Sequence, residues 1–371
     1  MSTGDKTPKS GFCKRQEERE RFSVHRSEIE FDHDAPRFLI SRMSAIGDTI
    51  LTLPVACALR DHFPNAYIAW AVEEKSAPVV VNHSAVDDVI VLKRGWFTSP
   101  RGLTETRRRL RRVGCDVAID CQGMTKSALA CYLSGAEHRI GYAGKHAREF
   151  SRLLVNLRVQ PIFDHLTDRS LELLAPLGCD SPSVRWDLPI ADAARSWASR
   201  YRATIPERRL AVLNPGATWH SKQWLPERFG ATARYLADQY GYRSVAVWGT
   251  AHDRDMAAEI VATSGGAALL APETDLQHLA AMIETGDLFI SNDTGPLHMA
   301  VAVGARTIGL YGATRPGDCG PYGQTAIQKA YESGSARQRR SAPNTAMRAI
   351  EVQDVCDAID LIEKPQQLLA A

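Results

Sequence analysis

The run Ser291-Asn292-Asp293-Thr294-Gly295-Pro296-Leu297-His298 gathers a carboxylate, hydroxyls, a glycine and an imidazole in one short stretch. It follows the apolar residues 288–290 and precedes an alanine-rich segment, the pattern of a buried strand turning into a helix. The first N–H groups of a helix lack intrahelical partners, and its dipole adds about half a positive charge there, so such a turn attracts anions. Gly295 admits close approach of a ligand, Pro296 suits a first helical turn, and Asp293 or Thr294 can cap it. A phosphate-bearing ligand fits, although an ordinary capped helix explains the octapeptide equally well. His298 either reaches a phosphate or packs its helix.

Asp48 is the second candidate. It lies in RMSAIGDTILTLP at 42–54, where residues 44–47 form a strand-to-helix loop. It reads as a helix cap or as a general base that takes a proton from an attacking hydroxyl. A carboxylate at a helix start stays ionised but is a weak base. That suits glycosyl transfer, whose transition states resemble an oxocarbenium ion. Three further loops carry usable groups. Gln122 and Lys126 lie in DCQGMTKS at 120–127, and with Arg148 further on they suit an acidic acceptor; solvated surface charge is the plainer reading of each. Thr218 and Lys222 lie in NPGATWHSK at 214–222, where glycine-loop N–H groups and an ammonium can clamp a diphosphate. Asp253, ending WGTAHD at 248–253, can accept from a ribose hydroxyl or cap its helix.

These loops need elements to position them. Short apolar runs at 38–41, 67–72, 89–92, 117–120 and 140–141 alternate with helical periods, and a second set follows at 210–213, 244–247, 268–270, 288–290 and 307–310. Such alternation implies α/β architecture, with parallel sheets covered by helices and ligands at the carboxyl ends of the strands. The expected division is a charged, disordered or loosely helical extension at 1–36, one α/β domain at 37–190, and a second at 191–371 whose last helix packs back on the first domain. The linker falls near 185–207.

The 371 residues suffice for two such cores, and a net charge of +2 does not favour nucleic acid as a partner. Cysteines at 13, 57, 115, 121, 131, 179, 319 and 356 form neither CxxC pairs nor a disulfide scaffold, so buried thiols in a reducing cytoplasm are expected. No run reaches the ~18 apolar residues of a membrane span. The arginine-rich stretch 101–112 is compatible with approach to an anionic membrane surface, or with a solvated helix face. Neither GxGxxG nor a P-loop occurs at a strand end, which weakens dehydrogenase and kinase readings, and no metal-ligand spacing is present.

On RMSAIGDTILTLP, DCQGMTKS, NPGATWHSKQWLPERF at 214–229, WGTAHD, and SNDTGPLHMAVAVGARTIGLYGATRPG at 291–317, the chain resembles glycosyltransferase family 9, the ADP-heptose:lipopolysaccharide heptosyltransferases. The resemblance implies a GT-B architecture, two Rossmann-like domains whose parallel sheets face across a cleft, the first (37–190) acceptor-binding and the second (191–371) nucleotide-sugar-binding, with inverting transfer and no obligatory metal or other cofactor. It implies Asp48 as base, with Lys222 on the donor phosphates. Asp293, Thr294, Gly295 and His298 would then lie at the diphosphate and sugar, Asp253 at the ribose, and Thr274 beside the adenine. ADP-heptose as donor and a lipid-linked, anionic inner-core acceptor (Kdo or heptose on lipid A) are likewise implied. Another nucleotide sugar and surface glycan, a non-catalytic nucleotide-sugar-binding protein, and a nucleotide-sugar epimerase are the alternatives. Family members often carry Ser-Ser where this chain has Ser44-Ala45, and a cysteine pair near 331–344 that is missing here.

Overall fold

In the computed structural model the described residues are 29–370, with side chains described to 364. Strands β1 (Arg37–Ser41), β2 (Tyr67–Glu73), β3 (Asp88–Leu92), β4 (Val117–Asp120), β5 (His138–Tyr142) and β6 (Leu157–Val159) form one sheet, ordered β3-β2-β1-β4-β5-β6. Strands β7 (Arg209–Asn214), β8 (Tyr242–Ala246), β9 (Ala268–Leu270), β10 (Leu288–Asn292), β11 (Thr307–Tyr311) and β12 (Thr325–Gln328) form the other, ordered β9-β8-β7-β10-β11-β12. All pairings are parallel. Strands β4, β10 and β11 are buried along their whole length, as apolar runs covered on both faces require.

Both sheets share one winding, and in each the strand order reverses beside the first strand. The loops after β1 and β4, and those after β7 and β10, therefore open at the two switch points where such sheets bind ligands. All the motif loops except WGTAHD leave these four strands.

The helices that matter below are α1 (Ile46–His62), α2 (Pro100–Arg111), α3 (Thr125–Ser134), α4 (Ser151–Leu154), α5 (Leu166–Glu172), α6 (Asp192–Ala203), α7 (Pro226–Tyr240), α8 (Ala251–Thr263), α9 (Leu276–Glu284), α10 (Gly295–Ala302) and the C-terminal α11 (Val352–Ala370). Helix α1 packs on α5 in its own lobe and on α10 in the other. It is the main bridge between the lobes.

Two expectations need correction. Residues 29–36 are not part of a loose extension: Ile29 is buried with its N–H on the Pro176 carbonyl at 3.2 Å, and Phe31 packs edge-on against Phe38 and Phe63 at 5.8 and 5.6 Å. The rest of the expected extension lies outside the described residues. The last helix does not return to the first lobe but packs on α7 and β12. Its buried Glu363 accepts from Tyr242 at 2.7 Å and Arg306 at 3.0 Å and pairs with Arg209, tying α11 to the second sheet. Of the cysteines, the seven described are free thiols, six of them buried, while Cys13 lies outside the described residues.

Candidate active site

In the first lobe the loop after β1 is organised by a buried arginine. Arg42, with its side chain 4% exposed, reaches Asp48 Oδ2 with Nη2 at 2.5 Å and the Cys121 carbonyl with Nη1 at 2.7 Å. Asp48 is 44% exposed and occupies the third position of α1, whose N-cap, Ala45, makes no side-chain capping bond. The capping reading of Asp48 therefore falls: its carboxylate faces the cleft, held by Arg42.

The loop after β4 is stitched to the same frame. Gln122 accepts from the Met43 N–H at 2.9 Å. Asp120 accepts from the Gln122 and Gly123 N–H groups at 3.0 Å each, and burial pushes its carboxyl up to about 6 against the opposing pull of Ser127, those N–H groups and Arg42. Lys126 donates to Glu73 Oε1 at 2.6 Å and to Ser44 Oγ at 3.0 Å, so it is a paired cation rather than a solvated one. Arg148 is exposed at the rim, its N–H on the Gly123 carbonyl at 2.9 Å.

In the second lobe, Thr294 is the N-cap of α10, but neither it nor Asp293 caps the helix. The Thr294 hydroxyl accepts from Asn214 Nδ2 at 3.0 Å and makes no capping bond. Asp293 takes Lys222 Nζ at 2.5 Å and Thr314 Oγ1 at 2.5 Å on Oδ2, with His298 Nε2 3.7 Å from Oδ1. Burial acts to raise the Asp293 carboxyl, yet Lys222, His298 and the hydrogen bonds outweigh it and hold it below the usual carboxylate range. His298 is also shifted down, chiefly by burial, against the attraction of Asp293 and Asp48. The Lys222 ammonium also lies 4.7 Å above the Trp219 ring. Pro296 carries no N–H and the Leu297 N–H is on the Thr294 carbonyl at 3.1 Å, so the open N–H of the first turn of α10 is that of Gly295, beside a lysine whose charge is matched by a buried aspartate.

The two lobes meet at these helix starts. A methyl group at Gly47 would stand 2.5 Å from His298 Cδ2 and 3.3 Å from Gly295 Cα, and one at Gly295 would stand 3.3 Å from Ile46 Cγ2. The approach that Gly295 permits is therefore to the opposite helix α1, not to a ligand alone. The Cys319 thiol, pushed up mainly by burial, is raised further by Asp293 and Asp48 and lowered by Lys222, so all three charges lie near it.

Asp253, Thr274 and Thr218 lie farther out on the second lobe. Asp253 does cap its helix, its Oδ2 accepting from the Thr250 N–H at 3.0 Å and hydroxyl at 2.9 Å. A methyl group at Gly216 would stand 2.9 Å from the Asp253 carboxyl, so that carboxylate also borders the 214–218 loop. Thr274 is half-buried just before Asp275, the N-cap of α9, and Thr218 is exposed. Sequence reasoning gave no individual role to Arg42, Asn214 and Thr314, although each lies in a motif stretch, and it passed over Glu73. A charged residue closing the apolar run at 38–41 was the available signal for Arg42; the other three are partners that only the fold brings in.

A family profile described as glycosyltransferase family 9 (heptosyltransferase) matches residues 103–346. The chain belongs to glycosyltransferase family 9. Lipopolysaccharide heptosyltransferase 1 of Salmonella typhimurium is 32% identical over 305 residues, covering 78% of this chain and 93% of its own. Among solved structures, the family 9 glycosyl transferase from Veillonella parvula superposes with a TM-score of 0.73 at 23% identity, covering 89% of this chain and 99% of its own. The Escherichia coli heptosyltransferase WaaC with ADP-2-deoxy-2-fluoro heptose gives 0.68 at 25% identity, covering 88% and 99%. The family 9 chain is thus a glycosyltransferase of GT-B fold. Arg42 and Asp48 precede the profile match, whereas Lys222, Asp293 and His298 fall within it.

Proposed function

We propose that this enzyme moves heptose from ADP-heptose to a hydroxyl of the lipopolysaccharide inner core, on a Kdo or heptose unit of lipid A, with inversion and without a metal. The observation that carries this reading is the meeting of Asp48 on α1 with the Lys222–Asp293 pair and the uncapped start of α10. One lobe offers a proton acceptor; the other offers positive charge where a leaving diphosphate would develop negative charge.

In the proposed step the acceptor oxygen bonds to C1 of the heptose as the bond from C1 to the ADP oxygen breaks. The hydroxyl proton passes to Asp48, and the electron pair leaves with ADP. Lys222 and the N–H groups of Thr294 and Gly295 stabilise that charge. Asp293 acts through Lys222, holding its ammonium in place and cancelling its charge until the diphosphate arrives. Arg42 positions Asp48. Asp253 and the 214–218 loop would take the ribose end, Thr274 the adenine side, and Gln122, Lys126 and Arg148 the anionic acceptor. Because that acceptor is lipid-linked, the enzyme would meet it peripherally at the cytoplasmic face of the inner membrane. No helix among the described residues is long and apolar enough to cross a membrane.

The test is incubation with a panel of nucleotide sugars and a Kdo-bearing lipid A precursor, followed by mass spectrometry of the lipid. Gain of one heptose from ADP-heptose, with Asp48→Ala losing transfer while still binding donor, is the expected result. Preference for another nucleotide sugar, or wild-type turnover by Asp48→Ala, would refute it.

A further inference from the structure

Large apolar side chains exposed singly are ordinary, but a cluster flanked by cations is not. Phe150 and Leu153 are 68% and 70% exposed on and beside the short helix α4, and Tyr132 on the adjoining α3 is 55% exposed. The three belong to one surface. Helices α3 and α4 pack together, and Arg139 joins them by lying 5.7 Å from the Tyr132 ring centre while donating to the Leu154 carbonyl at 3.0 Å. Arg148 and Arg152 are exposed on either side of Phe150. The surface continues toward α2, whose Arg111 guanidinium lies beside Gly135 at the end of α3. Of its acidic residues, Glu149 is engaged by the Thr125 N–H at 3.2 Å, and exposed Glu137 stands beside Arg139 at the margin.

Its position bears on function. The Phe150 N–H donates to Thr125 Oγ1 at 3.1 Å and the Arg148 N–H to the Gly123 carbonyl at 2.9 Å, so this segment is fastened to the loop bearing Gln122 and Lys126. An apolar, cationic rim therefore adjoins the proposed acceptor subsite.

We infer that the face formed by Tyr132, Phe150 and Leu153 with Arg139, Arg148 and Arg152 docks on an anionic lipid surface, so that a lipid-anchored acceptor enters the cleft from the bilayer. This rests on the acceptor assigned above and deepens it by naming the surface that meets the membrane. Phenylalanine and leucine insert at the acyl boundary while arginines pair with phosphate headgroups, a combination that gives reversible binding.

Sedimentation of the full-length protein with vesicles of phosphatidylcholine alone, and of phosphatidylcholine mixed with phosphatidylglycerol, tests it. The parent should partition onto the anionic vesicles and leave them at high salt. Phe150→Ser with Leu153→Ser should lower that partition about tenfold or more, and Arg152→Glu roughly fivefold or more. The double variant should keep the parent's melting temperature and its rate on a deacylated, water-soluble acceptor, yet lose rate on acceptor embedded in vesicles. Equal partition of parent and variants, equal binding to neutral and anionic vesicles, or pelleting without lipid would each overturn the assignment. Partition is read without donor, so a parent that binds vesicles but transfers no heptose to any acceptor would refute the heptosyltransferase reading and leave the docking surface standing.

Discussion

At the scale of single residues the site depends on two ion pairs of different kinds. Arg42 is buried and Asp48 half-exposed, so the arginine fixes the geometry while the carboxylate remains open to the cleft. Arg42→Met should therefore lower kcat by about 10²-fold, the cost of a misplaced catalytic group, with KM for the donor unchanged; Arg42→Lys should recover much of the loss. A matched fall in donor affinity would show that Arg42 merely holds the fold. Lys222 and Asp293 are both largely buried, and breaking such a pair leaves a charge without compensation. Lys222→Met should cost about 3 kcal/mol of stability and weaken donor binding. Adding Asp293→Asn should restore stability but not binding, as followed by thermal melts and calorimetry. The sign with pH is fixed by direction: the Asp293 carboxyl is held below its ordinary range, so the pair's contribution is full above that range and fades as pH falls through it. The melting difference between parent and Lys222→Met should shrink accordingly in acid.

At the scale of elements the contact between the starts of α1 and α10 is the critical joint. Gly47→Ala would place a methyl group against His298 Cδ2 and push the helices apart, an overpacking penalty of about 1–3 kcal/mol. Transfer should fall much more than ADP affinity, because the lesion separates the lobes without touching the Lys222 loop; equal losses in both would contradict this. The loop after β4 makes a separate prediction. Asp120 titrates near 6 rather than at the usual 3.8 because burial penalises its charge, so the fold is most stable with it protonated and loses stability as pH rises through that window. Asp120→Asn should then be more stable than the parent near neutral pH by at most about 3 kcal/mol, the difference vanishing toward about pH 4, as melts across pH would show. The strands bearing the motifs were legible because they are continuous apolar runs buried on both faces. The edge strands β6 and β12 were not, since Leu-Arg-Val and Thr-Ala-Ile-Gln carry no such signature. The α1–α10 contact was equally hidden: Gly295 looked like a ligand-facing glycine and Gly47 like a loop residue, and nothing local says that each makes room for the other lobe.

At the scale of the whole molecule, two sheets of the same winding place four of the five motifs at their switch points, and the placement of these loops at the carboxyl ends of strands could be read from the sequence. Partnerships could not. That Lys222 is matched by Asp293, Lys126 by Glu73 and Asp48 by Arg42 depends on loops brought together by sheet pairing over long sequence separations. The central claim is a division of labour, with the second lobe gripping the nucleotide end of the donor and the first presenting the base. A crystal structure of the protein with a fluorinated, unreactive ADP-heptose analogue tests it most directly. The pyrophosphate should lie within about 3 Å of Lys222 Nζ and of the N–H groups of Thr294 and Gly295, with the anomeric carbon turned toward Asp48 and space for one hydroxyl between them. A pyrophosphate seated on Lys126 in the first lobe, or an anomeric carbon facing away from Asp48, would contradict the account.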